Sequence, residues 1–533
     1  MKIFYTFCIL MVFTIPSVLA QDGALDKTFG NGGLATQQVG QDTIWPSSSG
    51  TAVAISSTGK IVIGGIANNI YRFDEAMVTC FNSDGTFDSS FGDSGIWFSP
   101  VARGKSKDIH IGEDDKIYVT GNASPTYGTN EIYIHRLLPN GTSDNTYGNN
   151  GYITYRDPDE YTNMEISVMM DNGQIVTGGG NYSLKFARFN PDGSLDNAFN
   201  GGKILFVELG YQWTSLNDMA VQKDGKILVT GRYEKTSNSD STHTYVLRIT
   251  KEGVLDNTFA NNGILIHQFS DFYTKDFSYG KAIAVQADGK ILLAGYITPT
   301  RKFLGRLKPD GTLDPTFGDK GVVYIEHGNI ITGQIDLIEV MVQPDGKIIV
   351  AGTFPRMASG KGELSDFYME RFLPDGKIDN DFGLNGMVTT DFGLERRDDC
   401  WAAVPQKDGK IVLVGSSRDT SGYSEVSVAR YNSGLDSWPP TVVSISENRQ
   451  PLPLGIYPNP AKHQFTVQLP HNASGILSIK MSNLLGQTVY SNEQVASSRQ
   501  NIEINTDRIG KGIFLVTVIA DKVSYSGKVI VVE

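Results

Sequence analysis

Short apolar runs of four or five residues, separated by polar turns, recur along most of the chain. In one copy, the run at 282–285 precedes Asp288-Gly289-Lys290, and a second run follows at 291–295. Asp-Gly between two apolar runs favours positive φ and the tight turns of β-hairpins. The pattern predicts seven hairpins, with turns at residues 58–61, 114–117, 172–175, 224–227, 288–291, 345–348 and 408–411.

Two more strands are predicted after each hairpin. The third apolar run ends in arginine followed by an apolar residue, at Arg136, Arg188, Arg248, Arg306, Arg371 and Arg430, with Cys80 in the first copy. The fourth run follows a motif of Asp-Gly, a second Asp, then Phe-Gly-x-x-Gly, as before residues 321–325. Four antiparallel strands per unit are typical of a β-propeller blade.

The number and order of the repeats predict how the ring closes. The fourth-strand motif begins at residues 22, 84, 140, 192, 252, 310 and 375. Successive copies are 52–65 residues apart, and a period of this length indicates an array of equal structural units. The chain opens with this motif (Asp22 to Gln38) and ends its repeats in a stub, Ser433 to Asp436. We therefore predict that the strand after Gly33 completes the seventh blade. Closing the ring in this way covers strand edges that would otherwise pair with other chains and aggregate. The predicted fold class is all-β, a seven-bladed β-propeller followed by a small C-terminal β-sandwich.

These motifs resemble the family described as delta-60 repeats, over roughly residues 22–436. The recurring core is Leu-Asp-x-x-Phe-Gly-x-x-Gly. The fourth copy departs from it by one residue at 200–202, and Ala260 replaces glycine in the fifth. The resemblance implies a repeat fold and carries no activity with it.

The two ends of the chain are predicted to serve export. Lys2, an apolar run at 3–15 and the small-residue site at 18–20 are typical of a secretory signal. No later stretch approaches about 18 unbroken apolar residues, so we predict no transmembrane span. The predicted domains are a signal peptide at 1–20, the propeller at 21–438, a linker at 439–451 and a C-terminal domain at 452–533.

The C-terminal domain shows short alternating strands, which predict a small β-sandwich. It resembles the type A C-terminal sorting domain of the type IX secretion system. The matching residues are Tyr457, Pro458, Asn459, Pro460, the turn at 484–486, Gly512, Gly527 and Lys528. The resemblance implies the type IX machinery as a partner, passage through the periplasm and across the outer membrane, removal of this domain, and secretion or surface attachment. The alternative is a plain adhesion-type sandwich.

Composition narrows the function classes. A formal net charge of −12 without a long basic run argues against nucleic acid and anionic membrane surfaces as partners. Only Cys80 and Cys400 survive signal removal, so disulfides do not frame the fold. The sequence shows neither a nucleophile elbow nor a phosphate loop, and its seven histidines lack zinc-like spacing. We therefore predict no motif-based catalytic residue, no metal and no cofactor. The repeated aspartates, such as Asp196, are expected to bind turn amides or the recurrent arginines.

Function is expected where the repeats differ. When the first strands are aligned on the hairpin glycine, one position holds carboxylates in three copies, Asp108, Asp218 and Glu339, and apolar residues in the others. Placed near the starts of these strands, they would ring one mouth of the channel and favour a cation or a basic group. The alternative is that each is solvated or paired with a neighbour such as Lys107 or Lys281.

The loops that lead into these strands are rich in aromatic residues, and Trp45, Trp213, Tyr273 and Trp401 are the chosen binding candidates. Aromatic faces beside carboxylates suit sugar rings, and Trp and Tyr equally anchor protein partners. The alternative is that some of these side chains only pack between blades.

The predicted function is non-catalytic binding of a polysaccharide or a protein by an exported propeller. Two alternatives stay open. One is a glycan hydrolase or lyase that uses Asp108, Asp218 and Glu339, which would need carboxylates about 5–10 Å apart. The other is a structural component of a surface layer.

Overall fold

The protein is described by a computed structural model whose chain divides into two compact units at residues 443–444. The described residues are 21–42, 46–68, 74–101, 105–123, 131–156, 166–180, 182–210, 213–234, 242–269, 278–298, 301–326, 336–358, 362–393, 397–438, 452–468, 476–483, 488–495, 501–506, 509–520 and 523–532. The predicted signal peptide at 1–20 and the predicted linker at 439–451 lie outside them. Within the described part of the chain, no helix has the length and apolarity needed to cross a membrane.

The first unit contains seven four-stranded antiparallel sheets, which are the blades. The N-terminal strand is β1 (Leu34–Gln37), and blade 1 holds β2 (Ser48–Ile55), β3 (Ile61–Asn68), β4 (Asp74–Phe81) and β5 (Ile96–Phe98). Blade 2 holds β6 (Lys105–Ile111), β7 (Ile117–Ala123), β8 (Glu131–Leu137) and β9 (Tyr152–Tyr155). Blade 3 holds β10 (Ile166–Met169), β11 (Ile175–Gly180), β12 (Leu184–Phe189) and β13 (Leu205–Val207).

The remaining blades repeat this order. Blade 4 holds β14 (Trp213–Val221), β15 (Ile227–Glu234), β16 (Thr242–Ile249) and β17 (Ile264–His267). Blade 5 holds β18 (Tyr279–Val285), β19 (Ile291–Thr298), β20 (Arg301–Leu307) and β21 (Val322–Glu326). Blade 6 holds β22 (Asp336–Val342), β23 (Ile348–Ala358), β24 (Gly362–Phe372) and β25 (Met387–Thr390), and blade 7 holds β26 (Asp399–Pro405), β27 (Lys410–Arg418) and β28 (Ser424–Asn432).

The N-terminal strand supplies the missing fourth strand of blade 7. β1 pairs antiparallel with β28, with Leu34 opposite Ala429 and Gln37 opposite Val426. The first strands of successive blades contact one another, and β2 contacts β26, so they form the inner wall of a closed ring. The predicted closure is therefore confirmed.

Arginines of the third strands tie neighbouring blades together. Arg248 donates from Nε to Asp256 Oδ2 at 2.8 Å and from Nη1 to the carbonyl of Pro309, in the next blade, at 2.6 Å. Its guanidinium also lies over the Phe259 ring, 4.7 Å from the centroid. Burial opposes the charge of Asp256, but hydrogen bonds from Thr258 and Lys226 outweigh burial and hold its pKa below the usual range.

Blade 1 departs from this arrangement because Cys80 occupies the arginine position. Among the described residues, Lys60 is the cation that bonds the blade 1 aspartate, with Nζ 2.7 Å from Asp88 Oδ2, and the N–H and hydroxyl of Ser90 donate to Asp88 Oδ1. Cys80 and Cys400 are both buried and free, so they form no disulfide. Arg430 of blade 7 donates to the Ser83 carbonyl at 2.6 Å, which completes the contact between the last blade and the first.

The second unit is a β-sandwich, as predicted. Its strands are β29 (Leu452–Pro453), β30 (Gly455–Tyr457), β31 (Gln464–Gln468), β32 (Ile476–Asn483), β33 (Thr488–Val495), β34 (Asn501–Asn505), β35 (Gly512–Ala520) and β36 (Val523–Val531). One sheet has the order β29-β36-β35-β32-β33 and the other the order β30-β31-β34. Their inner faces share one apolar core that includes Phe465, Ile479 and Val516.

Candidate functional site

A β-bulge in the first strand positions the candidate carboxylates. Among the described residues, six of the seven blades show this register shift, between residues 216 and 218 in blade 4. The bulge brings the Ser215 carbonyl onto Gly231 of the second strand, where an added Cβ would lie only 1.9 Å from that oxygen. Asp218 directly follows the bulge, opposite Thr230. The carboxylates therefore lie near the middle of their strands, whereas the sequence alignment placed them near the strand starts.

Asp108 connects blade 2 to blade 3. Its Oδ2 accepts the backbone N–H of Ser167 at 2.7 Å, and the Ser167 hydroxyl lies 3.4 Å from the same oxygen. Burial raises the pKa of Asp108 to about 6, although the Ser167 hydrogen bonds and the charge of Lys107 oppose the rise. The carboxylate thus satisfies an inner-strand donor of the neighbouring blade, which is a structural role.

Asp218 makes the equivalent connection from blade 4 to blade 5. Its Oδ1 accepts the N–H of Met219 and its Oδ2 the N–H of Ile283, each at 2.7 Å. Beside it, the bulge residue Asn217 donates to the Gly280 carbonyl at 2.6 Å. Burial raises the pKa of Asp218 to about 7, and the charge of Asp108 adds to the rise.

Glu339 in blade 6 has fewer partners. Its Oε1 accepts the N–H of the following residue, Val340, at 3.2 Å. Burial raises its pKa well above the usual value, and the charges of Asp218 and Asp108 raise it further. The negative charges of Asp108 and Asp218 therefore act on Glu339. The oxygens of these three carboxylates do not all fall within 4.8 Å of one another, the spacing at which three described acidic side chains would hold one ion.

Of the two lysines proposed as local counter-charges, Lys107 acts on Asp108, because its charge opposes the rise of the Asp108 pKa. Lys281 lies instead 3.5 Å from Asp336 and 5.6 Å from the centre of the Tyr296 ring. The Tyr296 hydroxyl in turn donates to Asp336. Aligning the repeats of the chain did not identify this contact between blades 5 and 6, because Lys281 and Asp336 occupy different positions of their strands.

Exposed aromatic side chains lie where first strands begin and second strands end, which we call the upper face of the ring. Trp213 is the first residue of β14, and Tyr182 lies in the connection between β11 and β12. Their ring centroids are 6.1 Å apart with an interplanar angle of 78°. Tyr182 is 73% exposed and Trp213 38% exposed, so the pair offers a solvent-facing apolar surface. Trp213 was predicted from its loop; Tyr182 was missed because its connection carries no other aromatic residue.

The other aromatic candidates have different positions. Trp401 is the bulge residue of blade 7 and is 43% exposed. Tyr279, from the same aromatic-rich loops, packs between blades, with the Arg232 guanidinium 4.6 Å from its ring centre. Trp45 and Tyr273 lie outside the described residues.

In the second unit, the Tyr457 to Pro460 segment is fastened to the last strand. The side chain of Asn459 donates to the Lys528 carbonyl at 2.7 Å and accepts the Ile530 N–H at 2.9 Å. Gly527 lies in the same strand, and Gly512 begins the strand that pairs with it. The residues of the predicted sorting motif thus meet along β36.

Two family models match the chain. The model described as Domain of unknown function (DUF5122) beta-propeller matches seven segments, at residues 56–91, 113–147, 172–199, 222–259, 286–317, 343–382 and 406–435. The model described as Secretion system C-terminal sorting domain matches residues 455–532. No curated protein matches the sequence.

Several solved structures align with the chain at low identity and low TM-score. A fungal alcohol oxidase of the AA5 family, in complex with copper, is 13% identical with a TM-score of 0.39, covering 92% of this chain and 98% of its own. A protein of unknown function from Dyadobacter fermentans is 10% identical with a TM-score of 0.38, and the match covers 75% of this chain and 99% of that protein. The polysaccharide lyase PL25 ulvan lyase is 10% identical with a TM-score of 0.27, covering 96% of each chain. Similarities this low carry no functional argument.

Proposed function

Because the chain carries seven repeats of the DUF5122 beta-propeller family across residues 56–435 and ends in a secretion system C-terminal sorting domain, we propose that it is an exported propeller that binds a polysaccharide without cleaving it. The sorting domain implies export by the type IX system, followed by secretion or attachment at the cell surface. The propeller is then the part that meets the extracellular ligand.

The observation that carries this proposal is the exposed pair Tyr182 and Trp213 on the upper face. A sugar ring has an apolar C–H face that stacks on an aromatic ring and hydroxyl groups that need polar partners. Phe206 in blade 3 is 41% exposed and adds a further aromatic face. The ammonium of the buried Lys185 lies 5.5 Å from the centre of the Phe206 ring and holds that ring by a cation–π contact.

The arrangement of the carboxylates favours binding over catalysis. Asp108 and Asp218 are engaged by backbone N–H groups of the neighbouring blades, which accounts for their positions without a substrate. A glycosidase needs two carboxyl groups free to face the scissile bond.

A glycan array of the mature chain tests the proposal. Trp213→Ala is expected to weaken binding by about 30-fold, the effect of losing an aromatic anchor worth about 2 kcal/mol. Leu384→Ala is the matched control, because Leu384 is 76% exposed and lies in the turn before β25, at the opposite end of the ring. If no glycan class binds, or if both variants bind like the wild type, the proposal is wrong.

One observation favours a second candidate, a glycan-cleaving enzyme. Raised carboxyl pKa values, about 6 for Asp108 and about 7 for Asp218, are also what a general acid requires. Asp218→Asn separates the two candidates. An enzyme would lose at least about 100-fold in turnover of a bound glycan, whereas a binder shows no turnover in either form.

A further inference from the structure

Three aspartates from separate segments meet where blades 6 and 7 join. Asp366 lies in β24, Asp391 directly follows β25, and Asp398 directly precedes β26. One carboxylate oxygen from each lies within 4.8 Å of the other two. Among the described residues, this is the one group of three or more potential ligands with that spacing.

One oxygen of this cluster is buried without a hydrogen bond. Asp398 is 1% exposed. Its Oδ2 accepts the N–H of Phe392 at 2.8 Å, while its Oδ1 has no hydrogen-bond partner. Leaving a buried polar atom unpaired costs about 1–3 kcal/mol, and more for a charged group. Burial accordingly raises the pKa of Asp398 to about 7.

The nearby cation does not reach that oxygen. Arg356 donates from Nε to Asp366 at 2.8 Å and from Nη2 to Asp391 at 2.6 Å. It therefore orients two of the carboxylates and neutralises one charge of the three. Oδ1 of Asp398 therefore has no hydrogen-bond donor among the described residues, although the charge of Arg356 acts on this carboxylate and opposes the rise of its pKa.

We propose that Asp366, Asp391 and Asp398 bind a divalent cation of the Ca²⁺ type, with Arg356 positioning two of the ligands. All the donors are oxygens, which hard cations prefer, and Ca²⁺ accepts irregular geometries of 6–8 ligands. The Asp391 side chain is 38% exposed, so water has access to complete the coordination. Extracellular Ca²⁺ modules bind at about 10⁻⁴–10⁻³ M, a range suited to an exported protein.

The sequence had predicted no metal. The ligands lie at 366, 391 and 398 without the closely spaced run of an EF-hand loop, and the spatial cluster exists only once β24, β25 and β26 are assembled. The site is independent of the proposed sugar surface, which lies in blades 3 and 4.

Calcium titration of the mature full-length chain tests this proposal. With a Kd near 0.1 mM, 5 mM CaCl₂ is expected to raise the Tm by about 3 °C over the same protein in EDTA. Isothermal titration with CaCl₂ is expected to show one saturable site. Asp398→Asn and Asp391→Asn are each expected to abolish both responses. Glu252→Gln, which removes one exposed charge in blade 4, is expected to keep them.

Two results would overturn the calcium site. One is a wild-type protein with neither a Tm rise nor binding heat up to 10 mM CaCl₂. The other is a response that survives in the aspartate variants. Asp391→Asn decides the matter if Asp398→Asn does not fold, because Asp391 is partly exposed and its loss leaves no buried cavity.

Discussion

At the scale of single residues, Asp108 and Asp218 each accept a backbone N–H from a neighbouring blade and each have a raised pKa. Asp218 is half-buried and accepts two backbone N–H groups, one from its own strand and one from blade 5. These bonds favour the charged form, yet burial and the charge of Asp108 outweigh them. The position was predictable, since aligning the repeats on the hairpin glycine identifies it. The raised pKa was not, since it depends on which blades face one another.

Asp218 gives a pH-dependent prediction. Its folded-state pKa of about 7 lies above the ordinary value of 3.8, so the native state holds a proton that the unfolded chain releases. Wild-type stability should therefore fall, relative to Asp218→Asn, as pH rises from about 4 to about 7. Three pKa units correspond to about 4 kcal/mol, and we expect about 2 kcal/mol at a half-buried site. Urea unfolding at pH 4.5 and 7.5 measures the difference in the free energy of unfolding between the wild type and Asp218→Asn, with Glu252→Gln as the control variant. A pH-independent difference would contradict the assignment.

At the scale of the blade, the arginine of the repeated Arg–Asp pair also makes a polar contact with the neighbouring blade. Six third strands carry the arginine, and each donates to a turn carbonyl of the following blade, as Arg306 does to Pro374. Pairing the arginine with the turn aspartate was predicted from the sequence. Its reach into the next blade was not, because consecutive repeats say nothing about their relative placement.

Blade 1 provides a natural test of the pair, because Cys80 replaces the arginine and leaves Lys60 as the cation that bonds Asp88. Lys60→Met is expected to destabilise the propeller by about 2 kcal/mol, since it leaves the buried Asp88 carboxylate with the Ser90 hydrogen bonds but without that cation. The matched change Lys226→Met should cost less than about 1 kcal/mol, because Arg248 still holds Asp256. Denaturant unfolding of both variants at pH 7 compares them. Equal losses would show that the arginine does not substitute for the lysine.

At the scale of the propeller, ring closure joins segments far apart along the chain. β1 pairs with β28, and Arg430 Nη2 lies 2.9 Å from Oδ2 of Asp26, 404 residues earlier in the chain. The ring therefore has no free end within the propeller, and the outer edge of blade 7 is a short strand of four residues. Separately, the sorting domain has its own core, in which Asn459 ties its first loop to its last strand.

Relocating β1 tests the closure. Deleting residues 21–38 from the mature chain should lower the Tm by at least about 10 °C and promote aggregation, because it exposes β28 as an edge and unpairs Arg430. Inserting the same residues after 438 through a short flexible linker should restore the wild-type Tm, since Gly23 already bonds the Asn432 carbonyl at 2.7 Å. Thermal melts of both proteins measure this. A deletion variant as stable as the wild type would contradict the role of β1.

The repeated unit, the number of blades, the closing strand and the sorting domain follow from the amino-acid sequence, because turn chemistry and strand periodicity depend on neighbouring residues. Which side chains meet across blades depends on the folded arrangement of the sheets. The Tyr182–Trp213 pair joins blades 3 and 4, and the cluster of Asp366, Asp391 and Asp398 assembles from three segments. Both depend on how neighbouring sheets pack face to face, and that geometry has no period along the chain.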